Sequence, residues 1–392
     1  MTIIRLKKNE DRRIKNGHPW VFSNEIERLE GSREPGASAE LHDAAGGLIG
    51  VGHYNPHSLI AFRLLSRQRD DIDSLAFYET RIRAALAHRR ALYPGLQTFR
   101  AVYGESDVLP GLVVDKYGDC LAIQILSCGM EQRRDLLLEA LLKTFSPRGI
   151  IARNDTSVRS LEGLPETVEL LAGEIPDRVE MVENGLRFMI SLQDGQKTGG
   201  FLDQKENHML LNGICRNRHV LDCFCYTGGW AIHAGHFGAA SVLGLDISGN
   251  AITQATANAV LNNLAGPVRF EECDAFERLR SLKHEGRRFG VVIMDPPAFA
   301  KNRRNIAEAT KGYLTVNRRA LELLEPGGHL ITCSCSYHMG REPFREMLVQ
   351  AARQARRQVR LVESCSQSPD HPILLTFPES EYLKCLVLQV ID

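Results

Sequence analysis

Alternating apolar and polar positions divide the chain into three stretches that differ in predicted secondary structure. Over residues 1–68, short apolar runs are separated by turns containing glycine or Asn-Pro, a pattern typical of a small β-rich domain. Strands are expected there at 20–22, 39–42, 48–52 and 59–65. A helical period follows over residues 75–92, where apolar side chains recur on one face until Tyr93-Pro-Gly95 ends the helix.

Residues 75–178 are predicted to form a compact α+β domain. After the first helix, the order of strands and helix is the one that such a domain uses. Strands are expected at 99–103, 112–114, 121–125 and 149–152, and an amphipathic helix at 131–145. Glu174-Ile-Pro-Asp177 is the expected linker to the rest of the chain.

Strands and helices alternate over residues 180–392, which predicts a parallel, doubly wound sheet. Its strands are expected at 219–224, 241–246, 268–271, 290–294 and 328–333. The clearest helix runs from Ser248 to Asn262, with Ser248 as its N-cap. Two late apolar runs, 373–377 and 383–391, have no helix between them and are predicted as an antiparallel pair at the sheet edge. The fold class is therefore α/β: a Rossmann-like C-terminal domain preceded by a β-rich and an α+β domain.

Composition narrows the kinds of protein that the chain can be. It is 43% hydrophobic and 24% charged, which is typical of a soluble globular protein. No apolar run approaches the ~18 residues that span a bilayer. The ten cysteines show no CxxC pair and no metal-ligand spacing. We therefore expect reduced thiols in a cytoplasmic protein, with no metal site and no membrane partner.

Positive charge is concentrated in two short segments of the chain and is not spread over the whole sequence. Lys+Arg and Asp+Glu both number 48, so only patches can attract nucleic acid. One patch near the N terminus includes Arg12 and Arg13. A second, Arg353, Arg356, Arg357 and Arg360, has the i, i+3, i+4, i+7 spacing of one helical face. Each patch is either an RNA contact or an ordinary solvated face.

Acidic and glycine residues follow the first strands of the C-terminal sheet. Tyr226-Thr-Gly-Gly229 lets the backbone turn sharply and approach a ligand, with Tyr226 and Gly228 as candidate contacts, and it lacks the GxGxxG spacing of a dinucleotide site. Asp222 is placed to hold an amino group, Asp246 to accept from ribose hydroxyls and Asp274 to accept from an adenine amine. Each acid has an alternative role as a helix cap.

Two further motifs end the later strands. Asp295-Pro-Pro297 follows an apolar run, and its prolines form a rigid rim for a planar base, on which Phe299 is expected to stack. Thr332-Cys-Ser-Cys-Ser336 ends the next strand, with Cys335 nearer the ligand edge than Cys333. A buried inert thiol is the alternative for Cys335. In this order, the motifs are typical of a site that binds S-adenosylmethionine beside a reactive thiol.

With these motifs in place, the chain resembles class I S-adenosylmethionine-dependent 23S ribosomal RNA cytosine-C5 methyltransferases with an N-terminal PUA domain. The resemblance runs nearly end to end. It is carried by His18-Pro-Trp-Val-Phe22, Gly104–Gly111, Gly195–Gln204, Cys225–Gly229, Asp295–Pro297, Ser334–Ser336, Asp370–Pro372 and Tyr382–Lys384. Gly200 and Lys205 depart from the family pattern, where an aromatic residue and arginine are usual. No Pro-Cys follows the fourth strand, so a second cysteine for product release is not evident.

The resemblance implies roles for the motif residues. Cys335 would add to C6 of a flipped cytosine in 23S ribosomal RNA, and Asp295 would hydrogen-bond ring N3. Pro296, Pro297 and Phe299 would hold the base, Gln204 would help to wrap the cofactor, and the PUA-like domain with the basic patches would hold RNA phosphates. Two rivals stay open: an RNA amino-group methyltransferase that uses the Asp-Pro-Pro turn without a cysteine, and a catalytically vestigial, RNA-binding ribosome assembly factor. The oligomeric state, a homodimer among the options, is also open.

Overall fold

The computed structural model describes residues 2–299 and 306–392. The chain forms two compact units. The first comprises the residues up to Met181, Ile190–Leu202 and Pro369–Ser380, and the second comprises Val182–Met189, Asp203–Ser368 and Glu381–Asp392. No helix within the described ranges combines the length and apolar character needed to cross a bilayer.

The first unit contains two sheets, each with its own apolar core. The six-stranded sheet has the order β2-β6-β5-β4-β1-β3 and packs around a core that includes Ile4, Leu41 and Phe62. Its elements are β1 (Thr2–Leu6), α1 (Arg12–Lys15), β2 (Trp20–Val21), β3 (Ile26–Glu30), β4 (Ala37–His42), β5 (Leu48–Tyr54) and β6 (Phe62–Ser66).

The second sheet of this unit has the order β11-β10-β9-β8-β7 and packs against two long helices. Its elements are α2 (Leu75–Leu92), β7 (Thr98–Tyr103), β8 (Leu112–Tyr117), β9 (Cys120–Ile125), α3 (Cys128–Glu131), α4 (Arg134–Phe145), β10 (Gly149–Arg153) and β11 (Val168–Gly173). A hairpin of β12 (Val179–Glu183) and β13 (Leu186–Ile190) follows. The proposed division into domains over 1–68, 75–178 and 180–392 stays a prediction.

The second unit is the predicted doubly wound sheet, with strand order β16-β15-β14-β17-β18-β20-β19. Its strands are β14 (His219–Cys223), β15 (Ser241–Asp246), β16 (Val268–Glu272), β17 (Phe289–Met294), β18 (Leu324–Ser334), β19 (Val359–Cys365) and β20 (Lys384–Val390). Its helices are α5 (Lys205–His208), α6 (Gly229–His236), α7 (Gly249–Leu261), α8 (Ala275–His284), α9 (Ile306–Leu323) and α10 (Arg341–Ala355). The α/β fold class is confirmed.

Strand pairing creates a ligand-binding edge in this sheet. β14 pairs in parallel with β15 on one side and β17 on the other, so chain order reverses at β14. Ligands of open α/β sheets bind outside the carboxyl ends of strands at such a switch point. All six residues of β17 are buried, as expected for a central parallel strand covered on both faces. The Ser248 side chain accepts from the Ala251 amide, which confirms it as the N-cap of α7.

Several elements differ from the sequence-based expectation, which did not include the strands β1, β3, β12, β13 and β19. The helix predicted at 131–145 is two helices, α3 and α4, because Arg133 leaves helical geometry while its buried guanidinium donates to the carbonyls of Gly36 and Gly129. The strand expected at 59–65 begins only at Phe62. β11 was missed, because its side chains are mostly exposed or half-buried and lack a strong apolar period.

The C-terminal predictions need two further corrections. Residues 373–377 form no strand, because the Leu374 amide donates to the Ser380 hydroxyl and the Phe377 amide donates back to Leu374 within a turn. The antiparallel partner of β20 at the sheet edge is β19. The four arginines from 353 to 360 do not share a helical face, because α10 ends at Ala355 and Arg356 adopts a left-handed φ of 55°.

Candidate active site

The chain turns sharply between β14 and α6. Phe224, Tyr226 and Gly228 all have positive φ angles, of 66°, 48° and 90°. The Tyr226 amide donates to Asp246 Oδ2 over 2.9 Å, which fixes the loop to the end of β15. Only glycine adopts φ near 90° without strain, so Gly228 is the position where the turn requires it. The turn lies at the carboxyl edge of the sheet, where ligands of open α/β sheets bind.

Asp222, the last but one residue of β14, is a fully buried carboxyl group. Within the described part of the chain, neither of its oxygens accepts a hydrogen bond of good geometry, and the nearby Ala231 backbone amide acts only to lower its pKa against the stronger effect of burial. Burial raises its pKa well above the ordinary value, and the charge of Asp295 raises it further. A buried carboxyl without a protein partner is costly, and a ligand ammonium group would satisfy it. The arrangement fits the predicted contact with an amino group of the cofactor.

The other two acids lie at the ends of the next strands. Asp246 is half-buried, and its Oδ1 accepts from the Ser248 amide over 2.9 Å. Asp274 is exposed and caps α8, accepting from the Glu277 amide over 3.1 Å. Asp274 is therefore a helix cap, which is the alternative role for each acid. Asp246 instead holds the loop that follows β14 in place by accepting from the Tyr226 amide. Their contacts with ribose and adenine stay predictions.

Asp295 directly follows β17 and receives two hydrogen bonds on one oxygen. Gln204 Nε2 and Trp230 Nε1 donate to Asp295 Oδ2 over 2.9 and 3.0 Å. Asn207 in turn donates to Gln204 Oε1, which orients the amide. Burial raises the pKa of Asp295, and the two donors only partly offset that effect. The carboxyl group is thus held rigidly, with one oxygen committed to the protein.

The rim beside Asp295 combines rigid and aromatic residues. Pro296 is buried and Pro297 is exposed. Phe299 is half-buried and packs against Tyr313 and Phe276, with ring centroids 4.7 and 6.2 Å apart. Phe299 therefore already has aromatic neighbours, and its stacking on a base stays a prediction.

Cys335 follows β18 directly and is half-buried, whereas Cys333 is fully buried and pairs with Cys385 in the ladder to β20. The neighbouring Ser334 and Ser336 hydroxyls both contact the Tyr313 hydroxyl, at 3.1 and 3.0 Å. β17 and β18 are parallel neighbours, so Cys335 and Asp295 lie at the same edge of adjacent strands. All ten cysteines lie in the described ranges and none forms a disulfide.

A buried polar trio that sequence reasoning missed supports this site. Glu183, His208 and His233 place their ligand atoms within 4.8 Å of one another, close enough to hold a metal ion. Each also has protein partners: Glu183 contacts His208 Nδ1, and His233 Nδ1 lies 2.7 Å from the Gly229 carbonyl. Burial, followed by the charge of His208, lowers the pKa of His233 to about 4, so this imidazole is neutral. We interpret the trio as hydrogen-bonded support.

Trp230 connects the trio to Asp295. The His208 ring packs edge-on against Trp230 at 4.6 Å, and the indole is the donor to Asp295. A single tryptophan in a short helix carries no recognisable sequence signal, because its role depends on which strand end it faces. The contact is visible only in three dimensions.

The predicted RNA-contacting arginines lie on α1 in the first unit. Arg12 is exposed and forms no ion pair with the described residues. Arg13 bonds to Glu25 over 2.9 Å and lies over the Phe22 ring at 4.3 Å. Of the two, Arg12 is therefore the more available to a phosphate.

The fold and the site define a methyltransferase that uses S-adenosylmethionine. Comparisons with known proteins agree. A PUA-like domain model matches residues 4–67, and a model of S-adenosylmethionine-dependent methyltransferases matches residues 158–387. A proposed methyltransferase, SMU.776, complexed with SAH shares the fold with a TM-score of 0.87, at 20% identity and full coverage of both chains.

Two full-length relatives identify the family. Ribosomal RNA large subunit methyltransferase I of Tolumonas auensis is 37% identical over 395 residues, which cover 100% of both chains. The Shewanella denitrificans protein of the same name is 38% identical over 392 residues, 99% of each chain. The chain belongs to the ribosomal RNA large subunit methyltransferase I family, and its cofactor is S-adenosylmethionine.

The loop geometry predicts a specific effect of Gly228→Ala. A Cβ at this position would lie 2.9 Å from Phe270 and 3.2 Å from Ile232, in addition to the strain of its positive φ. Gly213→Ala is the matched control, since Gly213 has φ 93° and open space around it. Both variants should lose about 1–2 kcal/mol of stability from the left-handed backbone, and Gly228→Ala about 1–3 kcal/mol more from overpacking. Urea unfolding and calorimetric titration with S-adenosylmethionine measure both effects. Equal stability and equal cofactor affinity in the two variants would contradict the proposed role of the loop.

Proposed function

We propose that this protein methylates C5 of a cytosine in 23S ribosomal RNA by covalent catalysis through Cys335. The observation that carries the proposal is a half-buried thiol and a half-buried carboxyl group at the carboxyl ends of adjacent strands. The family relationship supports large-subunit ribosomal RNA as the substrate, because both full-length relatives carry that name. The PUA-like domain supports an RNA target.

The chemistry of cytosine explains the need for a thiol. C5 is a poor nucleophile until another group adds to C6. The Cys335 thiolate forms an S–C6 bond, which places the electron pair of the former double bond at C5. Bound S-adenosylmethionine supplies the methyl group that C5 accepts. Loss of the C5 proton to a base then expels Cys335 as a thiolate and restores the aromatic ring.

Asp295 is suited to stabilise the adduct. Its raised pKa keeps more of the carboxyl protonated at a given pH, so it can donate a hydrogen bond to ring N3. Gln204 and Trp230 occupy Oδ2, so we assign Oδ1 to the base. Held in this way, the carboxyl group requires no reorganisation when charge develops on the ring.

The thiol mechanism predicts a trapped intermediate. RNA with 5-fluorocytosine at the target should form a covalent complex that survives denaturing electrophoresis, because fluorine cannot leave as a proton does. The complex should require S-adenosylmethionine and disappear in Cys335→Ser.

Cys333→Ser is the matched control for the trapping experiment. Cys333 lies deeper in the strand, so this variant should still trap RNA. Trapping lost only in Cys333→Ser would move the nucleophile to that residue. Methylation that continues in both variants would favour the amino-group rival and remove the covalent mechanism.

Asp246 is expected to hold the cofactor ribose. Asp246→Ala removes charge-assisted hydrogen bonds of roughly 1.5–3 kcal/mol, so S-adenosylmethionine should bind ~10-fold more weakly or worse by calorimetry. Asp274→Ala, which removes the N-cap of α8, is tested in the same calorimetric titration. Lower cofactor affinity in this variant would support the adenine contact, and lower stability alone would leave Asp274 as a cap. Unchanged affinity in Asp246→Ala would exclude it from the site.

RNA affinity is expected to depend on salt through exposed cations of α1. Arg12→Gln should reduce the slope of log K against log[salt] by about one, the value for one lost phosphate contact. Arg13→Gln is the matched control and should change the slope less, because Arg13 pairs with Glu25. Filter binding of a 23S ribosomal RNA fragment over a salt series measures both slopes. If the Arg12→Gln slope equals that of the unmodified protein, this face is only solvated.

A further inference from the structure

Lys384 places a buried amino group next to the Cys335 segment. It is the first residue of β20 and lies opposite Ser334 in the antiparallel ladder with β18. Its Nζ donates to the carbonyl oxygens of Ser336 and Tyr382, each over 2.7 Å. Because Ser336 directly follows Cys335, these bonds hold the amino group at the end of β18 where the thiol lies.

Among the described residues, the Lys384 amino group has no ion-pair partner that explains its burial. Lys384 is 5% exposed, and in the described part of the chain its Nζ donates to two neutral carbonyl oxygens. A buried ammonium group is costly unless an anion compensates it. Two carbonyl oxygens satisfy hydrogen bonds but carry no net charge. A thiolate at Cys335 would supply the missing counter-charge.

Charged groups from each neighbouring element act on Lys384. Burial lowers the pKa of Lys384 to about 8. Of the neighbouring charges, that of Cys335 has the largest effect, and it raises this pKa. Arg341 of α10 lowers the pKa further, and Glu381 before β20 raises it. Tyr313 of α9 also faces the cysteine but stays neutral, because burial raises its pKa. Arg341 is paired with Glu381 over 2.8 Å. Among the described cations whose charge acts on this group, Lys384 is therefore the one without a carboxylate partner.

We propose that the Lys384 ammonium group holds Cys335 in the thiolate form. The thiol proton passes to solvent, and the anion stays beside Nζ until its electron pair forms the S–C6 bond. When the S–C6 bond breaks after methyl transfer, the same ammonium group receives the departing thiolate. Lys384 is thus a positioning residue that acts through Cys335. The inference deepens the proposed function and rests on it.

The test measures the acidity of the thiol in the full-length protein without RNA. Iodoacetamide reacts with thiolates, so the alkylation rate of the Cys335 peptide, followed by mass spectrometry from pH 5.5 to 10, reports its titration midpoint. The midpoint should lie at least about one unit below the ~8.5 of an unperturbed cysteine. Lys384→Met should raise it by about one unit or more, and Lys384→Arg should restore most of the shift, since it keeps the charge.

Arg341→Gln is the matched control, because it removes a nearby cation that already has a carboxylate partner. It should move the midpoint less than Lys384→Met does. A native midpoint at or above ~8.5 overturns the proposal even if Lys384→Met does not fold. Equal midpoints in the native protein and a folded Lys384→Met variant overturn it as well.

The experiment separates this inference from the proposed function. The Cys335 thiol could prove acidic in a way that depends on Lys384, while 5-fluorocytosine RNA traps no complex. This pair of results would support the Lys384–Cys335 charge pair and contradict the covalent mechanism. If the complex is trapped but the titration midpoint of Cys335 is that of an unperturbed cysteine, the covalent mechanism is supported and the role of Lys384 is contradicted. If Lys384 has only a structural role, Lys384→Met should lower the stability of the protein but leave the titration midpoint of Cys335 unchanged. Lys384→Arg would then have no shift in midpoint to restore.

Discussion

The electrostatics of the candidate active site depend most on two carboxyl groups at the carboxyl ends of neighbouring strands, Asp222 and Asp295. Asp222 lies near the carboxyl end of β14 with no hydrogen bond of good geometry among the described residues, and Asp295 directly follows the adjacent β17 with two donors on one oxygen. Burial raises the pKa of both, and the charge of Asp295 raises that of Asp222 further. Binding of a cationic ligand favours ionisation of Asp222, and ionised Asp222 in turn favours binding of the cation. The folded protein therefore has a buried carboxyl group that lacks a counter-charge, and the positively charged cofactor can supply it.

The surrounding structure prevents these groups from relaxing. Trp230 and Gln204 restrain Asp295, and the buried Glu183–His208 contact restrains Trp230 from behind. Such support matters because a carboxyl group that could rotate or take up water would lose its raised pKa. The trio thus helps to fix the orientation of Asp295 through the Trp230 indole. Rigid support of this kind is what electrostatic catalysis requires.

The parts of the site that follow strand periodicity were predictable, and the parts that depend on packing were not. Apolar runs located every parallel strand of the C-terminal sheet, and acids or cysteines at the ends of these runs made Asp222, Asp295 and Cys335 candidate site residues. Trp230 and Lys384 carry no such signal, since each matters only through the strand end that it faces. Apolarity alone misplaced a strand at 373–377, where hydrogen bonds within a turn outweigh β propensity. Helical spacing likewise failed for the arginines beyond Ala355, where the chain leaves the helix.

The antiparallel strand β20 connects the topology of the sheet to the chemistry of the thiol. A parallel strand beside β18 would present its own carboxyl end at the ligand edge, whereas antiparallel β20 begins there and brings Lys384 with it. Its first residue therefore reaches the same edge as Cys335 while the rest of the strand completes the core with Leu386 and Leu388. Burial that stabilises the sheet is thus also what strips water from the amino group. A dehydrated ammonium group interacts more strongly with a thiolate than a solvated one does, so packing and reactivity at this edge have the same physical origin.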